Sequence, residues 1–225
     1  MHSISDDMKN VLFIGNSYTY VNDLPSVFAE VATAQGLSVT VSSVTKGGWT
    51  LEKHASPADE CGARVQKAFA ENKYDYVILQ EQSYRPIVKF DLFAAAVHVL
   101  AEKARANGAQ PILYATWGRA EGCPLLAELS LTSAEMTDAL ADAYTKVGAA
   151  EDIPVAYVGR AWKAASGADL YHSDLSHPAP AGTYLAALTL LAKIFAIDPV
   201  QIPYTPDFLS ADADMFLKIA AKTAV

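Results

Sequence analysis

Apolar and polar positions follow two rhythms along this chain. Val11-Leu-Phe-Ile14 is an unbroken apolar run, the pattern of a short strand covered on both faces; Gly15 and Asn16 then end it in a turn. Residues 24–35 place Val27, Phe28, Val31 and Ala32 on one helical face, with Pro25 near the start and Gly36 just past the end. Residues 37–44 alternate, as a half-covered strand does, and residues 61–72 return to helical spacing. Tyr76-Val-Ile-Leu79 is a second buried strand pattern, followed by an alanine-rich helix over 91–107 that Gly108 closes. A strand is expected over 111–116. Thr132-Ser-Ala-Glu135 forms a capping box for a helix running to about Val147. Residues 153–158 read as a fifth strand, 182–196 as a helix, and 211–223 as a last helix with Ser210 as its N-cap.

Strand and helix in strict alternation predict an α/β fold: a three-layer α/β/α domain around a five-stranded parallel sheet, in the flavodoxin-like order 2-1-3-4-5. The expectation is one domain over residues 1–225, with 1–9 as a loose N-terminal extension.

Composition narrows the function classes. A hydrophobic fraction of 52% with 19% charged residues is that of a globular chain rather than a disordered one. The net charge of −8 argues against nucleic acid or an anionic membrane as the main partner. Residues 1–8 are polar and acidic, with no basic or apolar segment of a secretory signal, and the apolar run near 184–197 is interrupted by Thr189 and Lys193. Cys61 and Cys123 have no metal-ligand or pairing pattern and read as free thiols, so the expected location is cytoplasmic.

Ser17 follows the first strand, at the sheet edge where ligands collect in open α/β folds. A serine hydroxyl needs a base held by a third group. Asp174-Leu-Ser-His177 supplies both: across three residues the carboxylate can fix one ring nitrogen of His177 and leave the other free as general base. The same spacing also suits a surface loop that caps the helix starting near Ala181. Acyl transfer further requires donors for a developing oxyanion. The Ser17 amide, the Gly48 amide in Gly47-Gly48 after the second strand, and the Gln82 side chain after the third are candidates. Gly-Gly also serves as a plain turn, and Gln82 as a solvated loop residue.

Taken together, these stretches resemble the SGNH (GDSL-like) hydrolase family. Ile14-Gly-Asn-Ser-Tyr18 is similar to its first block, with Asn16 where many members have Asp. Gly48 matches the second-block glycine, and Asp174-Leu-Ser-His177-Pro178 the last block. Val77-Ile-Leu-Gln-Glu-Gln-Ser83 aligns with the third block, with Gln80 for the usual Gly and Gln82 for the usual Asn. The resemblance spans residues 11 to about 195. It implies a serine esterase acting on a short acyl ester, an O-acetylated carbohydrate first among candidates, with Ser17, His177 and Asp174 as triad and no cofactor.

Tyr18, Trp49, Tyr84, Trp117 and Tyr171 lie beside the proposed site loops and either contact a substrate or pack the core. Arg85 and Arg119 are candidates to neutralise an acidic substrate. His2, His54, His98 and His172 read as ordinary, with His54 closest to the Gly-Gly loop, and no cluster has metal-ligand spacing. Two other readings stay open: a flavodoxin-like phosphate- or nucleotide-binding domain using Gly15-Asn-Ser-Tyr-Thr19, and a family member without activity. Residues 120–131 read as either a lid or a plain loop.

Overall fold

A computed structural model describes residues 8–225. The expected extension over 1–9 therefore lies, through residue 7, outside the described residues, while Lys9 already belongs to the first strand.

The chain runs β1 (Lys9–Gly15), α1 (Ser17–Tyr20), α2 (Leu24–Ala34), β2 (Val39–Thr45), α3 (Leu51–Ala55) and α4 (Glu60–Glu71). It continues through β3 (Tyr76–Leu79), α5 (Arg85–Val88), α6 (Phe90–Asn107), β4 (Gln110–Tyr114) and α7 (Pro124–Leu129). It ends with α8 (Ser133–Glu151), β5 (Val155–Ala156), α9 (Val158–Ala164), α10 (Pro180–Phe195) and α11 (Ala211–Thr223). The strands form one parallel sheet in the order β2-β1-β3-β4-β5, as expected.

The apolar run of β1 explains its central place. Val11 and Phe13 point into one core with Phe28, Ile112 and Tyr184, whereas Leu12 and Ile14 point into the other with Val77, Phe93 and Tyr144. All four are fully buried, and side chains of this size each contribute roughly 1.5–3 kcal/mol when removed from water. The alternating β2 lies at the sheet edge and buries only Val44 fully.

Register decides where the site forms. Ile14 is opposite Val44 on one side and Leu79 on the other. The turns after β1, β2 and β3, which carry Ser17, Gly48 and Gln82, therefore leave the sheet at the same edge.

The fifth strand is shorter than the expected 153–158. Pro154 has no amide to donate, and Val158 already opens α9, leaving Val155 and Ala156 paired with β4. Five short helices, α1, α3, α5, α7 and α9, fall in stretches with too few residues to show a helical period. Residues 120–131 contain α7, whose Leu126 packs on Met136 and Leu140 of α8 beside Tyr84 and Ile87. Among the described residues no helix is long and apolar enough to cross a membrane.

The C-terminal helix is locked by charge. Asp214 accepts from Lys218 Nζ at 2.7 Å, with both side chains 5% exposed, and also from Tyr184 and Thr205. Asp214→Ala should therefore destabilise the fold by about 3–5 kcal/mol in urea titration, because it strands a buried ammonium. Replacing both partners by apolar residues should recover most of that loss.

Candidate active site

Ser17 opens α1, a single turn that the Asn16 side chain caps by accepting the Tyr18 amide at 3.0 Å. Its neighbours Asn16 and Tyr18 are buried, while Ser17 itself is half-buried and reachable. His177 Nε2 lies 2.8 Å from Ser17 Oγ, across 160 residues of chain. His177 Nδ1 lies 2.5 Å from Asp174 Oδ2. With Nδ1 protonated against the carboxylate, Nε2 is left to accept the serine hydroxyl.

Asp174 also shapes the turn that presents His177. Its Oδ1 accepts the amides of Ser176 at 3.0 Å and His177 at 2.9 Å. That use excludes the reading in which Asp174 and His177 cap the next helix: α10 begins at Pro180 behind Ala179, which makes no side-chain cap bond. Burial opposes ionisation of Asp174, but the hydrogen bonds from the His177 ring and from the two amides outweigh it, and the carboxyl is held at about 2.

The rest of the turn is fixed from several directions. Leu175 adopts a left-handed φ of 62°, a strained state for a branched residue, and its carbonyl accepts the Ala120 amide at 2.9 Å. Trp117 Nε1 donates to Ser176 O, and the Tyr18 hydroxyl meets Ser176 Oγ at 2.9 Å. The residue after Ser17 thus bonds the residue before His177, pairing the two segments in register.

Trp117 is fully buried, in face-to-face stacks with Tyr18 at 4.7 Å and Trp162 at 3.8 Å. Trp117 and Tyr18 therefore form the floor of the candidate site instead of offering a free face to a substrate, because their rings fill the space under the Asp174–His177 turn. Trp49 is half-buried, with the ammonium groups of Lys46 and Lys53 each 3.9 Å from its ring centre and its indole N–H on Asp59. Tyr84 packs against the α7–α8 cluster. Tyr171 donates its hydroxyl to Gly118 O. Arg85 is paired with Glu52, whereas Arg119 donates to Ser83 Oγ at 2.8 Å and lies 5.9 Å from the Tyr18 ring centre.

Among the described residues, the Ser17 and Gly48 amides donate to no protein acceptor. Gly48 has φ +69°, a conformation that costs glycine little. The Gln82 side chain makes only long contacts of 3.4 Å, to Ser83 Oγ and from the Tyr84 amide. The other donors of the first loop are engaged internally: Tyr18 N on Asn16 Oδ1, Thr19 N on Asn16 O, and Thr19 Oγ1 on Gln80. A phosphate cradle would need those groups free.

The comparisons decide the family. A structure from Slackia heliotrinireducens, assigned as an SGNH hydrolase, superposes with a TM-score of 0.76 at 35% identity, covering 84% of this chain and all of that one. This chain belongs to the SGNH hydrolase family. A DUF4886-family protein from Bacteroides uniformis shares the fold of this SGNH hydrolase over 97% of the chain and 95% of its own, with a TM-score of 0.84 at 21% identity. An acetylxylan esterase from Geobacillus stearothermophilus does so over 83% and 94%, with a TM-score of 0.62 at 17% identity. No family model and no curated protein matches the sequence.

Two buried polar residues brace the loops of this SGNH hydrolase's candidate site: Glu81, which sequence reasoning passed over, and His54, which it read as ordinary. Glu81 is fully buried; its Oε1 accepts the amides of Leu51 at 3.0 Å and Gln82 at 2.7 Å, joining α3 to the third loop. His54, the histidine nearest the Gly-Gly loop, is also fully buried, with Nε2 2.8 Å from Gly15 O. Burial lowers its pKa and keeps it neutral, so Nε2–H donates to that carbonyl. Of the other histidines, His98 pairs with Glu151 on the surface, His172 is exposed, and His2 lies outside the described residues. Cys61 is buried and Cys123 half-buried, both as free thiols, and among the described residues no three His, Cys, Asp or Glu side chains cluster as metal ligands. The visible signal for the buried network was the polar run Gln80-Glu-Gln-Ser83 directly after a strand with no glycine to turn it.

The two carboxyls titrate in opposite directions. Burial raises Glu81 to about 7, against the hydrogen bonds from Gln82 and Leu51. Between its unfolded value near ~4.3 and about 7 the folded state holds a proton that the unfolded state releases, so stability falls as pH rises across that window. Glu81→Gln should flatten that slope in urea titrations. Carbon-13 NMR should find Asp174 still ionised at pH 4; a midpoint at or above the ordinary ~3.9 would contradict the hydrogen-bonded turn.

Proposed function

We propose that this protein is a serine esterase that hydrolyses short-chain acyl esters through an acyl-enzyme. The observation that carries this reading is the continuous chain Asp174 Oδ2–His177 Nδ1 and His177 Nε2–Ser17 Oγ, at 2.5 and 2.8 Å, with the serine reachable from solvent. Ser17 Oγ attacks the ester carbonyl while Nε2 takes its proton. The tetrahedral intermediate then expels the alcohol, which leaves with that proton. Water attacks the acyl-serine, gives a proton to Nε2, and the acid departs as Ser17 Oγ recovers it. Asp174 holds the ring orientation and stabilises the imidazolium formed twice in the cycle.

The Ser17 and Gly48 amides, free of protein acceptors, and the loosely held Gln82 amide act as oxyanion donors. An O-acetylated carbohydrate is the first substrate candidate. In support, the fold is shared with an acetylxylan esterase, and the site lies on loops at an open sheet edge. With Trp117 and Tyr18 in the floor, Trp49, Tyr84 and Arg119 remain at the rim to meet the alcohol part of the ester.

Ser17→Ala should lower kcat for p-nitrophenyl acetate by about 10⁴-fold or more without altering the fold, and Asp174→Ala by about 10²–10⁴-fold. Gln82→Ala should cost about 10²-fold in kcat. The pH–rate profile should show no acid limb from Asp174 down to about 2. A panel of p-nitrophenyl esters of increasing chain length and of acetylated sugars checks the substrate class. Wild-type turnover in folded Ser17→Ala would refute the mechanism, and a folded wild type inert to every ester would point to a member without activity.

A further inference from the structure

We propose that Gln80 is a positioning residue that holds the nucleophile loop in its reactive shape; its kinetic consequence rests on the esterase reading above. Gln80 is 1% exposed, and its amide makes four hydrogen bonds. Oε1 accepts the Asn16 amide at 2.9 Å and the Thr19 hydroxyl at 2.8 Å. Nε2 donates to Asn16 Oδ1 at 2.9 Å and to Glu81 O at 2.5 Å.

The partners leave no freedom in how the two amides face. The Asn16 backbone amide can only donate, so Gln80 must turn its oxygen toward it. Asn16 Oδ1 already accepts from Tyr18 N, so the Gln80 nitrogen must meet it. Asn16 Nδ2 is then directed to Trp49 O at 3.2 Å. One buried amide pair therefore ties residues on both sides of Ser17 to the end of β3, and through Asn16 to the loop that carries Gly48.

Space for this arrangement comes from Gly15. A Cβ there would lie 2.5 Å from Gln80 Oε1 and 2.6 Å from Thr19 Oγ1. Hydrogen bonds buried this deeply are strong and directional, and breaking one leaves a stranded polar group. The Ser17 amide and hydroxyl thus reach the substrate already aligned, so the effect belongs in kcat and not in substrate affinity.

The test uses Gln80→Met, which keeps volume and loses all four bonds, with Thr19→Val as a milder variant that removes one. Hydrolysis of p-nitrophenyl acetate and amide hydrogen exchange are measured on each. Gln80→Met should lower kcat by about 10–100-fold with KM within about threefold, and Thr19→Val by a smaller factor. Exchange at the Asn16 amide should speed about tenfold in Gln80→Met, with amides of α8 unchanged. Unchanged kcat in an active, folded Gln80→Met overturns the proposal, as does a loss that falls on KM alone. If the wild type proves inert toward esters, the esterase reading fails separately. The exchange arm then decides whether Gln80 holds the loop: unchanged protection at Asn16 overturns it. Should Gln80→Met not fold, Thr19→Val carries both readouts, and wild-type kcat and exchange in it overturn the proposal.

Discussion

The approach of His177 Nε2 to Ser17 Oγ at 2.8 Å is the contact on which the rest of the molecule converges. Its two atoms belong to loops 160 residues apart, so neither segment can create it locally. The parallel sheet supplies the first condition by releasing the turns after its first three strands at one edge. The bridge between Tyr171 and Pro178, and the Leu175–Ala120 bond, supply the second by folding the C-terminal loop back over that edge. Proton transfer needs atoms within hydrogen-bond reach, so the proposed chemistry depends on both segments holding this position.

That precision comes from polar contacts, some exposed and some buried, more than from apolar packing. Asp174 divides its two oxygens between the turn backbone and the His177 ring. Tyr18 and Trp117 fix Ser176 from below, and Asn22 reaches Pro178 O and Thr183. Glu81 and His54 brace the other loops at Leu51 and Gly15. The bonds among the buried groups, Tyr18, Trp117, Ser176, Glu81 and His54, are worth more than surface bonds because few competing waters are near, and each exacts a cost if left unmade. The cores above and below the sheet give stability; this polar layer gives the site its shape.

The strands were readable as short apolar runs such as Val11–Ile14 bounded by turn residues, and the long helices because stretches such as 91–107 carry several helical periods; their strict alternation then implied the sheet order. Boundaries moved where local chemistry intervened, as at Pro154 and Val158 in β5. The short helices α1, α3, α5, α7 and α9 were invisible because a single turn is decided by caps and tertiary contacts instead of periodicity. In the site, Ser17, Asp174 and His177 were legible because their residue types and spacing state a chemistry. Trp117 and Tyr18 were not: an aromatic residue at a strand end looks the same whether its ring meets a substrate or a neighbouring indole. Gln80 and Glu81 were hidden for a related reason, since polar residues after a strand usually face water, and only burial reveals that these do not.

Labelling with a fluorophosphonate, followed by intact-mass analysis and peptide mapping, tests the central contact most directly, because a serine reacts only when its base is in place. One phosphonyl adduct on the peptide containing Ser17, lost or greatly slowed in His177→Ala, is the expected result. No adduct on the folded wild-type protein, or equal labelling of Ser17 in His177→Ala, would mean that the two loops do not meet as a nucleophile and its base.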